Sequence, residues 1–422
     1  MVKQGYKQTE IGVIPEDWNI LSLKDISIGK FTYGVNAPAV EYMPPLPNYI
    51  RITDISDNGR FLCENRASVV CEHPEQFTLK ENDIVFARTG ASTGKTYLYR
   101  PEDGELVYAG FLIKASINPS LANSRYVFES LHTRRYWNWV ATASMRSGQP
   151  GINGNEYSTY LVATPELTEQ TLIAEALEDV DKLIISLEKQ IYKKKAIKQG
   201  AMQELLTGKR RLPGFSGEWG TKKLGDYCSL ITKQTGFDYS AYIKPALITR
   251  KMPNTLPMIQ TINFRGRKFA FETDYYIPKP VAMQFSNIVL NEKCVLFSIV
   301  GASVGNVGLY PGGITAFCGG AIGITRFHDE QDAEWVYNYM SSPDGQSQIQ
   351  YVTKGGAQAT VTIADIRNFK IPTPEKDERD AISSILENMD HEIEVLEEKL
   401  AKYRQVKQGM MQQLLTGKIR LV

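Results

Sequence analysis

One segment of this 422-residue chain is written twice. Glu169 to Leu212, EQTLIAEALEDVDKLIISLEKQIYKKKAIKQGAMQELLTGKRRL, aligns without a gap on Glu378 to Leu421, ERDAISSILENMDHEIEVLEEKLAKYRQVKQGMMQQLLTGKIRL, with about half of the positions identical. A repeat of that length sets the plan of the molecule before any motif is considered. The stretches ahead of each copy repeat more weakly. Trp18, Leu23 and Asp25 match Trp219, Leu224 and Asp226, and the Gly90-Ala91-Ser92 turn matches Gly301-Ala302-Ser303. Gln149 matches Gln358, and Pro165 matches Pro374. The order is globular, helical, globular, helical, with divisions at 1–166, 167–212, 213–375 and 376–422.

Inside the repeat, Ile173, Leu177, Val180, Ile184, Leu187 and Ile191 step by four and three, as do Ile382, Leu386, Met389, Ile393, Leu396 and Leu400. That spacing is a heptad seam on one helix face. Glu169 after Thr168, and Glu375, Asp377 and Glu378 after Pro374, suit helix starts, where carboxylates meet the positive end of the dipole. Gly208 and Gly417, each after Leu-Leu-Thr, suit the stops. Each helix is expected from about Thr168 to Leu206, or its counterpart, and to be roughly 58 Å long at ~1.5 Å per residue. Gly200 and Gly409 lie inside it and mark a kink or a close helix approach. A seam needs a cover. The two copies can cover each other as an antiparallel coiled coil related by a pseudo-twofold, which would place the globular units at opposite ends. The other arrangement packs each helix on its own globular unit.

The globular units read as mixed α/β. Asp83-Ile-Val-Phe-Ala, Cys294-Val-Leu-Phe-Ser-Ile-Val and Ala321-Ile-Gly-Ile-Thr are short apolar runs bounded by Gly, Asn or Asp, as buried strands are. Short helices are expected at Ser124–Ala141 and Asp332–Met340. The fold class is therefore two α/β units alternating with two long helices.

Several chemistries are disfavoured. The longest apolar runs, such as Ile20–Leu23 and Cys294–Val300, fall far short of the roughly 20 residues that cross a bilayer. Lys3, Lys7 and Glu10 precede any apolar run, unlike a signal peptide, so a cytoplasmic location is expected. The five cysteines are scattered without a C-x-x-C pair, which argues against a disulfide framework or structural zinc, and Cys71 with His73 lacks further ligands nearby. Thr89-Gly-Ala-Ser-Thr-Gly-Lys-Thr has Thr where a phosphate-binding loop needs its first Gly, and the matching Gly301-Ala-Ser-Val-Gly-Asn306 has no lysine. No dinucleotide fingerprint follows a strand, and the Asn/Asp-Pro-Pro-aromatic motif of adenine methyltransferases is absent. The histidines (His73, His132, His328, His391) are not matched between the copies, and His391 stands where the first copy has Lys182. Shared acids, bases or nucleophiles do not recur, so no catalytic site, metal or cofactor is expected.

The paired Lys-Gln-Gly-x-Met-Gln-x-Leu-Leu-Thr-Gly-Lys endings, the two Glu-(Gln/Arg) helix starts and the opening Ile14-Pro-Glu-Asp-Trp18 together resemble one family over essentially the whole chain. It is the specificity subunit of type I restriction-modification enzymes. One departure is the second unit's opening, Pro213-Gly-Phe-Ser-Gly-Glu-Trp219, a looser version of the first. The resemblance implies two target-recognition domains, 1–166 and 213–375, and two conserved helical regions, 167–212 and 376–422. It also implies that each domain reads one half of a split double-stranded DNA site, and that the helices act as a ruler. The helices would dock two adenine methyltransferase subunits, which restriction subunits join for translocation and cleavage. A net charge of +1 requires any electrostatic footprint on DNA to be local or completed by such partners.

Candidate DNA contacts lie in polar, Gly-flanked loops. The first unit offers Arg88, Thr89, Ser92, Thr93 and Lys95 in one loop and Arg146, Ser147, Gln149 and Asn153 in another. The second offers Ser298, Ser303, Asn306, Lys354, Gln358 and Thr360, with Arg265 and Arg267 around Gly266. Arg bonds guanine bidentately and Gln bonds adenine, whereas an ordinary solvated loop needs the same residue types. The matched Gln149 and Gln358 suit base reading or a shared backbone-holding role. Lys193, Lys194, Lys195 and Lys198, with Lys402, Arg404 and Lys407 in the second copy, suit DNA phosphate, a partner, or a solvated helix face. Two other functions are consistent with a repeated plan: a coiled-coil adaptor with two ligand-binding heads, and a nuclease with duplicated heads. The nuclease would need matched carboxylates and lysines, which the alignment does not offer.

Overall fold

The computed structural model describes residues 4–145, 149–353 and 359–421. The chain forms two compact units, Met1–Glu188 with Glu398–Val422, and Lys189–Glu397. This division falls inside both long helices, Leu167–Leu205 and Lys376–Leu414, and not at their ends.

Each unit is built on a four-stranded antiparallel sheet with the same plan. In the first unit the order is Thr32–Tyr33, Leu112–Ser116, Asp83–Ala87, Thr96–Leu98; in the second it is Cys228–Lys233, Ile322–Phe327, Cys294–Ser298, Val307–Tyr310. The inner strand explains the unbroken apolar runs in the sequence. Ile84 and Phe86 point into the core beneath the helices, while Val85 and Ala87 point into a second core on the other face. Val295 and Phe297, against Cys294 and Leu296, repeat that division. A strand buried on both faces carries no polar alternation. The helix at Asp332–Met340 forms as expected, whereas the one expected over Ser124–Ala141 is broken into Ser124–Ser130 and Arg134–Ala143. Thr133 breaks it by capping: its hydroxyl accepts from the Tyr136 N–H at 3.3 Å and starts a new helix.

The closing strand of each sheet unit returns to the opening one, Leu161–Thr164 on Asn19–Ser22 and Lys370–Thr373 on Gly220–Lys223. Each long helix therefore starts beside the tryptophan that precedes the opening strand. Trp18 is fully buried, and its indole N–H donates to Glu169 at 3.2 Å; Trp219 donates to Glu378 at 2.9 Å. Each carboxylate also receives an arginine from just beyond a Leu-Leu-Thr-Gly-Lys ending. Arg420 bonds Glu169 at 2.7 and 2.8 Å and lies over the Trp18 ring, and Arg211 bonds Glu378 at 2.8 and 2.6 Å and lies over the Trp219 ring.

The endings themselves are helix stops. Gly417 has φ of 65°, and the N–H groups of Gly417 and Lys418 turn back to the carbonyls of Leu414 and Gln413 at 3.1 and 2.9 Å. This closes orphan carbonyls in a left-handed cap that favours glycine. A Cβ on Gly417 would lie 2.4 Å from Pro15 Cγ, so the cap also has to be bare where it meets the head.

The seam divides along its length. Ile173 and Leu177 lie in the first head's core with Trp18, Leu414 and Leu415, and Ile382 and Leu386 lie in the second head's core with Leu205 and Leu206. The helix starts thus pack on their own heads together with the end of the other helix. Ile184, Leu187, Ile191 and Ile393 are buried farther along, and Val180, Met389, Leu396 and Leu400 are partly so. Within each unit ion pairs link the two helices, and in the first unit they run in opposite order along them. In the first, Asp181 meets Lys407 at 2.8 Å and Glu188 meets Arg404 at 2.8 Å; in the second, Lys194 meets Glu392 at 2.5 Å, Lys195 meets Glu397 at 2.7 Å and Lys198 meets Asp390 at 2.5 Å. Both helices run through Gly200 and Gly409 without a break, and a Cβ at either would meet nothing within 4 Å, so neither glycine marks a close approach.

Candidate nucleic-acid interface

The loops singled out in the sequence converge in each head. The inner strand Asp83–Ala87 turns through Arg88–Lys95 into Thr96–Leu98, and Cys294–Ser298 turns through Ile299–Asn306 into Val307–Tyr310. The turns share their backbone bonds: Thr93 N–H to Gly90 O and Gly94 N–H to Ala87 O in the first, Val304 N–H to Gly301 O and Gly305 N–H to Ser298 O in the second. Gly90, Gly94, Gly301 and Gly305 all have positive φ. The second candidate segment lies against this turn, Thr89 bridging Gly151 and Val300 bridging Thr360. Ile152 N–H then bonds Arg88 O, and Val361 N–H bonds Ile299 O, both at 2.9 Å. A hairpin between two strands also differs from a phosphate-binding loop, which opens a helix.

Within this frame the candidate side chains have different employment. Thr93 is buried and its hydroxyl bonds Gly90 O at 2.8 Å. Asn153 caps the helix Gly154–Ser158, accepting from Glu156 N–H at 3.0 Å, and Thr362 does the same for Ile363–Asn368. Ser298 is fully buried and shares a 3.0 Å hydroxyl bond with Ser303. Lys95 pairs with Asp57 at 2.8 Å. Thr89 and Ser92 are half-buried, Gln149, Asn306 and Thr360 are exposed, and the Gln149 amide nitrogen lies close over Gly90. Arg146, Ser147, Lys354 and Gln358 lie outside the described residues. Arg88 lies 5.1 Å from the centre of the Tyr33 ring and 5.9 Å from that of Phe111, and its Nε has no hydrogen-bond partner. Neither aromatic was legible as part of the site, since Tyr33 comes from an edge strand and Phe111 from the turn before Leu112–Ser116, both remote in sequence from Arg88.

Arg265 is exposed and its side chain makes no hydrogen bond or ion pair among the described residues. Arg267 is different. Its guanidinium bonds Glu334 at 2.6 Å, Asp390 at 2.9 Å and the Asn338 side chain at 3.2 Å, tying the head to the second long helix. The first unit has an equivalent lock made by other residues, in which Arg125 and Lys407 lie between Glu129 and Asp181. Two mid-helix glutamates complete the pattern. Glu188 holds Arg60 of the head and Arg404, and Glu397 holds Lys268 of the head and Lys195. Their carboxyls sit below the usual range: against the opposing effect of burial, Glu188 is lowered by Arg404 and Arg60, and Glu397 is lowered by Lys195 and Lys268. The lysine run is thus largely engaged with the opposite helix. Arg267→Ala is expected to destabilise the second unit by about 2–4 kcal/mol, because it leaves two partly buried carboxylates short of a cation. Urea unfolding measures this; unchanged stability with weakened DNA binding would instead return Arg267 to the DNA-facing surface.

Among the described residues no group of three or more His, Cys, Asp or Glu side chains is placed to hold a metal ion, and no helix is long and apolar enough to cross a membrane.

Two heads of one build, each clasped between the start of one long helix and the end of the other, define a class, and the comparisons identify it. Residues 15–197 and 217–403 match the family described as type I restriction modification DNA specificity domain, and the chain belongs to that family. It is a type I restriction-modification specificity subunit, the component concerned with DNA target recognition. Among its relatives is a Methanocaldococcus jannaschii chain assigned to the MjaX type I restriction enzyme as specificity subunit, 27% identical over 436 residues, covering 99% of this chain and 97% of that one. The MjaVIII specificity subunit of the same organism is 22% identical with the same coverage. In fold, the chain is similar to the type I restriction-modification S subunit from M. genitalium, with a TM-score of 0.61 at 12% identity over 94% of this chain and 96% of that one. It is also similar to a chain from a structural study of type I system assembly and conformational transition, with a TM-score of 0.55 at 16% identity over 96% and 99% of the two chains.

Proposed function

We propose that this chain is the non-catalytic reading subunit of its enzyme, in which each head reads one half of a split double-stranded DNA target. Its long helices form an antiparallel coiled coil with pseudo-twofold symmetry that sets the distance between the heads. Two adenine methyltransferase subunits dock on those helices, restriction subunits join them, and the assembly works in the cytoplasm. The observation that carries this reading is the shared hairpin frame: two heads present the same backbone turn and the same supporting bridge, with different side chains on the rim. The opposite order of the two ion pairs along the helices in the first unit supports the coiled coil, and a stiff spacer of tens of ångströms suits two major-groove faces one turn, roughly 34 Å, apart.

The near-neutral charge of +1 makes partner dependence part of the proposal. The chain alone is expected to bind DNA weakly and to show strong, sequence-selective binding once the methyltransferase subunits contribute phosphate contacts. Fluorescence anisotropy with target and scrambled duplexes, with and without those subunits, tests it. Equal, sequence-blind affinity in both states would overturn it.

A further inference from the structure

The two heads differ at one place on the hairpin frame, and strand register makes the comparison position by position. In the first head, Arg88 N–H bonds Phe111 O at 3.1 Å, and Tyr33 pairs with Ile113, which pairs in turn with Phe86. In the second head, Ile299 N–H bonds Ala321 O at 2.9 Å, and Lys233 pairs with Gly323, which pairs in turn with Phe297. Arg88, Phe111 and Tyr33 therefore stand where the second head has Ile299, Ala321 and Lys233.

We propose that Arg88 is the guanine-reading residue of the first half-site, and that the second half-site is read without an arginine at this position. The proposal rests on the DNA-reading function above and assigns one of its contacts. A long, flexible arginine on a bare loop would lose much rotamer freedom on binding a base. The Arg88 guanidinium already rests beside two rings that are themselves at the surface, Tyr33 being 43% and Phe111 55% exposed. Tyr33 is fixed in turn, its hydroxyl accepting from Gly154 N–H at 3.0 Å. Arg88 makes no ion pair among the described residues, unlike Arg60, Arg125 and Arg267, so its charge is not committed to the fold. A planar guanidinium resting near two rings, its charge not paired within the fold, matches the paired O6 and N7 acceptors that guanine presents in the major groove.

The second head cannot make this contact. Ile299 is buried, the exposed neighbour is the apolar Val300, and a cleft of about 420 Å³ opens beside Ala321, lined in part by Gln234, Gln260 and Thr261. At this position the two half-sites are therefore read by different side chains.

The test is methylation mapping of the full chain co-expressed with its methyltransferase subunits in a host without adenine methylation. Wild-type protein is expected to give a split motif with an invariant guanine in one half. Arg88→Ala should lower methylation at those sites on the order of ten- to a hundredfold and relax that single position, and Arg88→Gln should shift the preference there toward adenine. The other half-site is the internal control for folding and must stay intact in both variants. An unchanged motif, a uniform loss over all sequences as for a phosphate contact, or joint loss of both half-sites overturns the assignment of Arg88. Methylation by wild type without any split motif overturns the DNA-reading function beneath it.

Discussion

A fragment ending at Leu212 is expected to assemble as a closed twofold dimer. The fragment keeps the first head and the whole first helix but loses Glu398–Val422, which supplies the first unit with Arg404, Lys407, Leu414, Leu415, Gly417 and Arg420. Its own distal segment carries the repeat equivalents of every one of these: Lys195, Lys198, Leu205, Leu206, Gly208 and Arg211. In the intact chain those residues complete the other head in the same manner, Leu205 and Leu206 in its core and Arg211 on its tryptophan and glutamate. Two fragments can therefore complete each other reciprocally, and a self-complementary exchange of this kind closes with twofold symmetry. Sedimentation at micromolar concentration should give twice the fragment mass, and with methyltransferase bound the dimer should direct methylation to two inverted copies of the first half-site. A well-folded monomer would show that a head needs no second helix end.

The second large effect concerns the buried carboxylates that receive the tryptophan and arginine. Glu378→Gln keeps the shape but removes the charge that two Arg211 nitrogens and the Trp219 N–H share, and the expected cost is about 2 kcal/mol for charge-assisted bonds at a site closed to water on one side. Its carboxyl lies below the usual range, chiefly through the Arg211 hydrogen bonds. A carboxylate with a lowered folded pKa stabilises fully above its unfolded value, about 4.3, and loses that contribution as pH falls through the folded value. The wild-type advantage in urea midpoint should therefore be full at pH 7 and shrink below about pH 4. A pH-independent difference would assign the effect to packing.

The long helices were legible because two signals agreed, the heptad seam and the glycine stop, and the observed bounds Leu167–Leu205 and Lys376–Leu414 lie within about a residue of the reading at the first helix. The inner strands were legible because burial on both faces leaves an apolar run. What those helices cover was not legible. Arg420 and Glu169, or Arg211 and Glu378, meet only after the chain has closed, and no spacing rule links them. The candidate site was read at the level of loops and not of side chains. A polar residue flanked by glycine looks the same whether it caps a helix, as Asn153 does, bonds a buried neighbour, as Ser298 does, or faces a ligand. Arg267 sits in a Gly-Arg turn that resembles a basic contact surface, but the carboxylates that engage it come from two other elements. The aromatic pair around Arg88 escaped for the same reason, since strand order alone brings Tyr33 and Phe111 to one side chain.

One chain that joins two different readers at a fixed distance leaves its geometry in the sites that are modified. Long-read mapping of modified adenines in a methylation-free host, with the intact chain and its methyltransferase subunits expressed together, measures this directly. Two short, dissimilar half-sites separated by a spacer of constant length and unconstrained sequence are expected. A single contiguous motif, a palindrome, or a spacer that varies from site to site would contradict this.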